Sequence, residues 1–504
     1  MYDPRKAPEA QTANGTLRGR WEDGVAMFRG VPYAAAPVGE RRFQPPAPCP
    51  NWAGVRDAAE NGPIPPQPSS RLSMVMGDFT RPQSEDCLTL TIATPAPDGA
   101  KRPVLVWIHG GAYLSGAGSL DWYSGASFAR RGGIVAVSVN YRLGALGFLR
   151  LDGVSPGNLG LMDQIAALRW VRQNIAAFGG DPEQVTLAGQ SAGGHAIAYM
   201  LAMPSTEGLF RRAILQSAPF GLQPASAEKS ARVAARLLAA LGVAANDATR
   251  LREIPAERMI AAQLEVMKAE RRFAETEPPF VPAVDGALIP GDYMPVLARG
   301  PAGKVDVMIG TTREESAAFF AFDPEARAAD RAKIEARATA LLGPNAGAFL
   351  DEFARLRPGA SPFALLIDMM SDSTFRRPSL HFAEYRAEQG RPAYVYQFDW
   401  QSPMPGIAAC HCLEIPFVFD NPAAWTEAPM LKGADAAEVA ALSRAMHDAW
   451  AAFVRTGDPN HPGLPRWRPY DLDRRETMRF DSVVEPVGDL AGVGWRRPWP
   501  ERRA

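Results

Sequence analysis

Near-continuous apolar runs constrain this chain more than any other feature. Val104-Leu105-Val106-Trp107-Ile108 ends at His109-Gly110-Gly111, and Ile134-Val135-Ala136-Val137-Ser138-Val139 ends at Asn140-Tyr141-Arg142. Strands without polar alternation require a sheet covered on both faces, as in parallel α/β architectures. Further runs predict strands at Val185-Thr186-Leu187-Ala188, Ala213-Ile214-Leu215-Gln216, Val305 to Ile309 and Tyr394 to Phe398. Between them, Leu161, Ile165, Leu168, Val171, Ile175 and Phe178 recur at helical spacing and so share one face, with Gly179-Gly180 as the stop. Residues 1 to about 60 read as short strands and turns. The alternation predicts a doubly wound, mostly parallel α/β sheet. Two Ala-rich helical stretches, about 224–300 and 325–390, are too long for crossovers and are expected to form helical insertions capping the sheet. We treat residues 1–504 as a single domain.

Composition narrows the function classes. With 46% hydrophobic and 22% charged residues the chain is ordinary for a globular protein, and its net charge of −1 gives no basic surface for nucleic acid or an anionic membrane. No apolar run approaches the roughly 18 residues of a membrane span, and the first residues, Met1-Tyr2-Asp3-Pro4-Arg5-Lys6, lead into no apolar signal segment. Four cysteines, Cys49, Cys87, Cys410 and Cys412, make no disulfide framework, so a reducing cytoplasm is expected. Cys410-His411-Cys412 lacks the ligand spacing of a structural zinc site, so no metal is expected.

Open α/β sheets hold their ligands beyond the carboxyl ends of the strands. Four such ends here carry chemistry: His109-Gly110-Gly111-Ala112, then Ser191, then Glu314-Glu315, then His411. Ser191 lies in Gly189-Gln190-Ser191-Ala192-Gly193, between a strand and a helix-compatible run, the setting of a nucleophile elbow. Glycines flank it because a Cβ would clash in so sharp a turn. A serine hydroxyl needs a base to take its proton, and histidine fits; a carboxylate then holds the imidazole. Backbone N–H groups of Gly110, Gly111 and Ala192 could receive an oxyanion. Spacing alone leaves open which of Glu314 and Glu315, and which of six histidines, take these parts.

The chain resembles the type-B carboxylesterases, the α/β-hydrolase family that includes the cholinesterases, and within it the bacterial para-nitrobenzyl esterases. The likeness runs along nearly the whole sequence. It includes Gly30-Val31-Pro32-Tyr33-Ala34, Ser84-Glu85-Asp86-Cys87-Leu88, His109-Gly110-Gly111-Ala112-Tyr113, Asn140-Tyr141-Arg142-Leu143-Gly144 and Gly189-Gln190-Ser191-Ala192-Gly193-Gly194. It continues through Gly310-Thr311-Thr312-Arg313-Glu314-Glu315 and His411-Cys412-Leu413-Glu414-Ile415-Pro416-Phe417. The resemblance implies an α/β-hydrolase fold and a Ser191, Glu315, His411 triad, with Ser217 supporting it and Phe319 lining the substrate pocket. It also implies departures. Gln190 is neutral where the family usually has Glu, which should leave the His411 imidazolium less favoured. Pro65 replaces the partner of Cys87, so the family's N-terminal disulfide should be missing. Ser316 stands where Gly follows the acid.

Other groups have plainer expectations. His109 should orient the glycine loop, His195 should pack beside the elbow, and His381, His447 and His461 should be exposed or structural. Glu414 should be a buried hydrogen-bonding partner, Cys410 and Cys412 should pack beside the base, and Trp107 should be core. Aromatic core packing would account for Phe319 equally well. The expected function is hydrolysis of small to medium, largely apolar carboxylic esters through an acyl-enzyme, without a cofactor. A carbamate or amide hydrolase using the same triad is the second reading, and a non-catalytic binding protein the third.

Overall fold

A computed structural model describes residues 6–289, 291, 297 and 304–490. The ends of the expected domain and the last part of the first helical insertion therefore lie largely outside the described residues. Among the described residues the main sheet has 11 strands: β1 (Arg20–Glu22), β2 (Val25–Pro32), β3 (Thr89–Thr94), β4 (Arg102–Ile108), β5 (Val135–Val139), β6 (Gly180–Gln190), β7 (Arg212–Gln216), β8 (Asp306–Thr312), β9 (Tyr394–Phe398), β10 (Glu476–Phe480) and β11 (Glu485–Gly488). Their order is β11-β10-β9-β8-β7-β6-β4-β5-β3-β2-β1. From β5 to β10 every pairing is parallel, and the antiparallel strands lie at the two ends.

Why apolar runs became strands is visible in which side of the sheet each residue faces. Val104, Val106 and Ile108 of β4 join one buried cluster, while Leu105 and Trp107 join the other. Ala213 and Leu215 against Ile214, and Val307 and Ile309 against Met308, alternate in the same way. Side chains alternate with period two, so a strand covered on both faces must be apolar at every position. All five residues of β5 are buried. Each large side chain so buried contributes about 1.5–3 kcal/mol.

Helix α1 (Leu159–Asn174) continues as a 3-10 turn from Ile175 to Phe178, ending at Gly179 with φ +80. Its expected apolar face is the buried one, on the first side of the sheet. Strand β6 is longer than its apolar stretch; it begins at Gly180 and shifts register against β4 before Val185. Helix α2 (Ala192–Ala202) is buried along its whole length on the same side. The insertions hold α3 (Ala227–Leu241) and α4 (Ala256–Glu270), then α5 (Arg331–Leu342), α6 (Ala346–Leu356), α7 (Pro362–Ser371) and α8 (Arg377–Glu388). Between α7 and α8 the chain makes a π-helical turn, Asp372–Arg376. Helix α9 (Ala436–Thr456) covers the opposite face through Leu442, Met446, Trp450 and Phe453. Among the described residues no helix is long and apolar enough to cross a membrane.

Candidate active site

Ser191 has φ 56 and ψ −123, a conformation that L-residues seldom adopt. Such a backbone costs on the order of 1–3 kcal/mol and persists only when its surroundings fix it. Three things do so here. The Ser191 N–H donates to the Gln216 carbonyl of β7 at 2.8 Å, and the Ser191 carbonyl accepts from the His195 N–H at 2.9 Å, closing the first turn of α2. Glycine on each side permits the close approach. A Cβ on Gly189 would lie 2.7 Å from the Gly193 carbonyl carbon, and one on Gly193 would collide with the Ile108 carbonyl of β4. The elbow is thus wedged between β4 and β7.

The glycine loop after β4 lies directly against it. A Cβ on Gly110 would come within 2.9 Å of the Ser191 Cβ. Gly111, Ala112 and Tyr113 follow with φ of 106, 56 and 60, a left-handed run that turns the loop away from the strand. His109 supports this turn: its Nδ1 is 2.7 Å from the Gly110 carbonyl, and its ring stacks 4.4 Å from that of Tyr141. Burial pushes His109 down to about 4, so the ring is neutral and structural at ordinary pH. Among the described residues, the Gly110 and Gly111 N–H groups have no acceptor within the protein. Ala192 opens α2, so its N–H has no intrahelical partner either.

The two adjacent carboxylates point in different directions. Glu315 is fully buried; its Oε1 accepts from the Thr312 N–H at 2.8 Å and its Oε2 lies 2.5 Å from His411 Nδ1. Glu314 instead faces Arg313 and Arg357, at 3.3 and 3.6 Å. His411 is fixed twice to Glu315, because its backbone N–H also donates to the Glu315 carbonyl at 3.2 Å. With Nδ1–H given to the carboxylate, Nε2 carries the lone pair, and the Gln190 amide nitrogen sits 3.2 Å from it. Ser191 Oγ makes no hydrogen bond to His411 in this structure, so the imidazole meets the carboxylate and the amide but not the hydroxyl.

Behind His411 lies a second buried carboxyl, Glu414. Gln216 donates to its Oε1 at 3.2 Å, and Trp450 donates to the other end of the same amide at 2.9 Å. Burial, and then the charge of Glu315, push Glu414 up to about 8. Ser217 follows β7 with φ 48; its N–H donates to the Gly310 carbonyl, and its buried hydroxyl makes no hydrogen bond. His195 packs on Tyr199, with ring centroids 4.5 Å apart, and burial pushes it down to about 3. Burial also holds His381 down to about 4, while His447 meets the Val418 carbonyl at 2.9 Å and His461 the Ala445 carbonyl at 3.2 Å. The four cysteines are free thiols, and burial raises both Cys410 and Cys412. Among the described residues no group of three or more His, Cys, Asp or Glu is placed to hold a metal.

Ser191 opens into a largely apolar cavity that includes Gly110, Gly111, Gln190, Ala192 and Phe319. Phe319 is 5.2 Å from the His411 ring, so it packs on the imidazole and lines the cavity at once. Sequence reasoning missed its companion. Phe375, in the π-helical turn, lies 5.0 Å from the same imidazole and parallel to Phe319. Trp122, stacked on Trp425 at 4.7 Å, and Met76 complete an apolar wall that no periodicity announced. A hydroxyl on a strained corner, an imidazole held by a carboxylate and unused N–H donors are the parts that acyl transfer requires.

Comparison with known proteins agrees. A model of the "Carboxylesterase family" matches residues 6–489. The chain is 42% identical over 486 residues to phenmedipham hydrolase of Pseudarthrobacter oxydans, covering 96% of this chain and 95% of that one. It is 38% identical over 498 residues to para-nitrobenzyl esterase of Bacillus subtilis, covering 97% and 98%. A crystal structure of a Geobacillus stearothermophilus carboxylesterase superposes with a TM-score of 0.87 at 37% identity, over 97% of this chain and all of that one. The α/β-hydrolase fold expected from the sequence is therefore the fold found, and the chain belongs to the carboxylesterase family.

Proposed function

We propose that the protein hydrolyses small to medium, largely apolar carboxylic esters through an acyl-enzyme on Ser191. In this reading the substrate brings Ser191 Oγ to His411 Nε2 in place of the Gln190 amide. His411 takes the proton as Oγ attacks the carbonyl, and Glu315 steadies the resulting imidazolium. The N–H groups of Gly110, Gly111 and Ala192 hold the oxyanion, each worth about 3 kcal/mol in the transition state. Collapse expels the alcohol, which takes its proton from His411; water then attacks the acyl-enzyme by the same route and releases the acid and Ser191. Gln190 and Ser217 act as supporting residues, Phe319 as a pocket wall, and the helical insertions as the cap over the site. The strained backbone of Ser191 at the floor of an apolar cavity is the observation that carries this proposal. The free thiols support a cytoplasmic location.

A carbamate or amide bond remains the second reading, because one relative is named for phenmedipham hydrolysis and another, 39% identical, is a probable N-octanoylanthranilate hydrolase of Rhodococcus erythropolis. A fluorophosphonate probe tests the nucleophile. It should label the wild type and not Ser191→Ala, whose kcat/KM should fall by about 10⁴ or more. Labelling that persists in Ser191→Ala sinks the assignment, and no labelling at all favours a binding protein. Rates on p-nitrophenyl esters, a carbamate and an anilide then identify the bond.

A further inference from the structure

The cavity wall is largely apolar, and its two formally charged side chains are Arg71 and Glu277. Arg71 precedes the short helix Ser73–Met76 and lines the same cavity as Ser191. One of its five donors is used, with Nη1 donating to the Thr276 carbonyl at 3.0 Å. Its guanidinium lies over the Phe319 ring, 5.9 Å from the centroid, and that ring is 5.2 Å from the His411 imidazole. A single phenyl ring thus separates the cation from the base.

The neighbouring carboxylates are already committed. Glu277, also in the cavity wall, pairs with Lys229 at 3.0 Å, and Glu275 pairs with Arg337 at 3.3 Å. Among the described residues no carboxylate lies within ion-pair distance of Arg71, so these side chains sum to one uncompensated positive charge at Arg71. The residue as a whole is exposed to solvent, while the protein packed around its guanidinium lowers its pKa by desolvation and Glu275 acts in the opposite sense. A guanidinium with free parallel donors is suited to a carboxylate held in two hydrogen bonds.

We infer that Arg71 is a specificity residue for substrates with an anionic substituent: esters whose acyl or leaving group carries a carboxylate about one aromatic ring from the scissile carbonyl. The inference rests on the proposed ester hydrolysis at Ser191. It adds an anion subsite to a pocket whose lining is otherwise largely apolar.

Two pairs of probe esters test it: 4-carboxyphenyl butyrate against 4-carbamoylphenyl butyrate, and p-nitrophenyl 4-carboxybenzoate against p-nitrophenyl 4-carbamoylbenzoate. Within each pair the kcat/KM ratio of charged to neutral ester isolates the charge. In Arg71→Gln at least one ratio should fall about tenfold, as expected for loss of a charge-assisted hydrogen bond. Arg71→Lys should restore part of it, and Arg71→Glu should lower it further, a pattern that mere loss of packing would not give. Ratios unchanged in both pairs across these variants overturn the inference. Should the wild type hydrolyse none of the four esters, the ester-hydrolase reading fails separately. Calorimetry with the amide analogue 4-butyramidobenzoate then decides the anion site: weaker binding to Arg71→Gln supports it, and equal binding refutes it.

Discussion

Gln190→Glu exchanges a hydrogen-bond donor to His411 for a negative charge. In the wild type the amide nitrogen faces Nε2 at 3.2 Å and engages its lone pair. A carboxylate there would favour the imidazolium instead. Point charges this close at an effective dielectric of 20 attract by about 5 kcal/mol, an upper bound. Several neighbours reduce that figure. Glu315 already stands 2.5 Å from the other ring nitrogen and would repel the new charge, although Glu414 stays protonated near neutral pH and adds none. The facing Cys412 thiol is likewise held neutral by burial. Opposite charges at such range shift a pKa by about 1–3 units, so we expect the acidic limb of the kcat/KM profile to move up by about 1–2 units. That limb reports the free enzyme, in which this contact exists. The assay is a pH profile on p-nitrophenyl butyrate for both proteins, with folding checked by circular dichroism at each end. A limb that stays put or moves to lower pH would refute the role assigned to the Gln190 amide.

Two further outcomes concern the scaffold. Glu414 is raised from 4.5 unfolded to about 8 folded, so the native state keeps a proton that the unfolded chain loses. Its contribution is complete below the unfolded value and declines as pH rises towards the folded one. Urea unfolding at about pH 5 and about pH 7 should therefore show Glu414→Gln gaining about 2 kcal/mol on the wild type, and a constant difference would reject the buried neutral carboxyl. Gly193→Ala drives a Cβ into the Ile108 carbonyl and to 2.9 Å from the His109 carbonyl, both backbone atoms that cannot swing aside. It should cost about 3 kcal/mol or more, or prevent soluble expression; a melting temperature within about 2 °C of wild type would contradict the wedged elbow.

The sheet was legible because burial on both faces leaves no choice of residue: Val135 to Val139 read as a strand before any packing is known. The elbow was legible because glycines at 189 and 193 have one steric reason to be there. The proposed partners of Ser191 were not. Glu314 and Glu315 differ by one position, and only the fold turns one to His411 and the other to Arg313 and Arg357. Family resemblance, not spacing, distinguished them. Gln190 and His411 meet across 221 residues, which no periodicity encodes. The pocket was least legible of all. Phe375 reaches the imidazole from a π-helical turn, and Arg71 from a Ser- and Pro-rich turn, each placed by the packing of inserted segments rather than by its own neighbours in sequence.

Because the main chain of His411 and its ring are both tied to Glu315, the two residues form one clasp rather than two independent fittings. The chain just before the histidine is tied to the same turn, because the Glu314 N–H donates to the Ala409 carbonyl at 3.0 Å and the Ala409 N–H to Glu314 Oε2 at 3.3 Å. In the proposed proton relay the decisive distance is the one between this clasp and the serine elbow, because the clasp would move towards Ser191 or away from it as one piece.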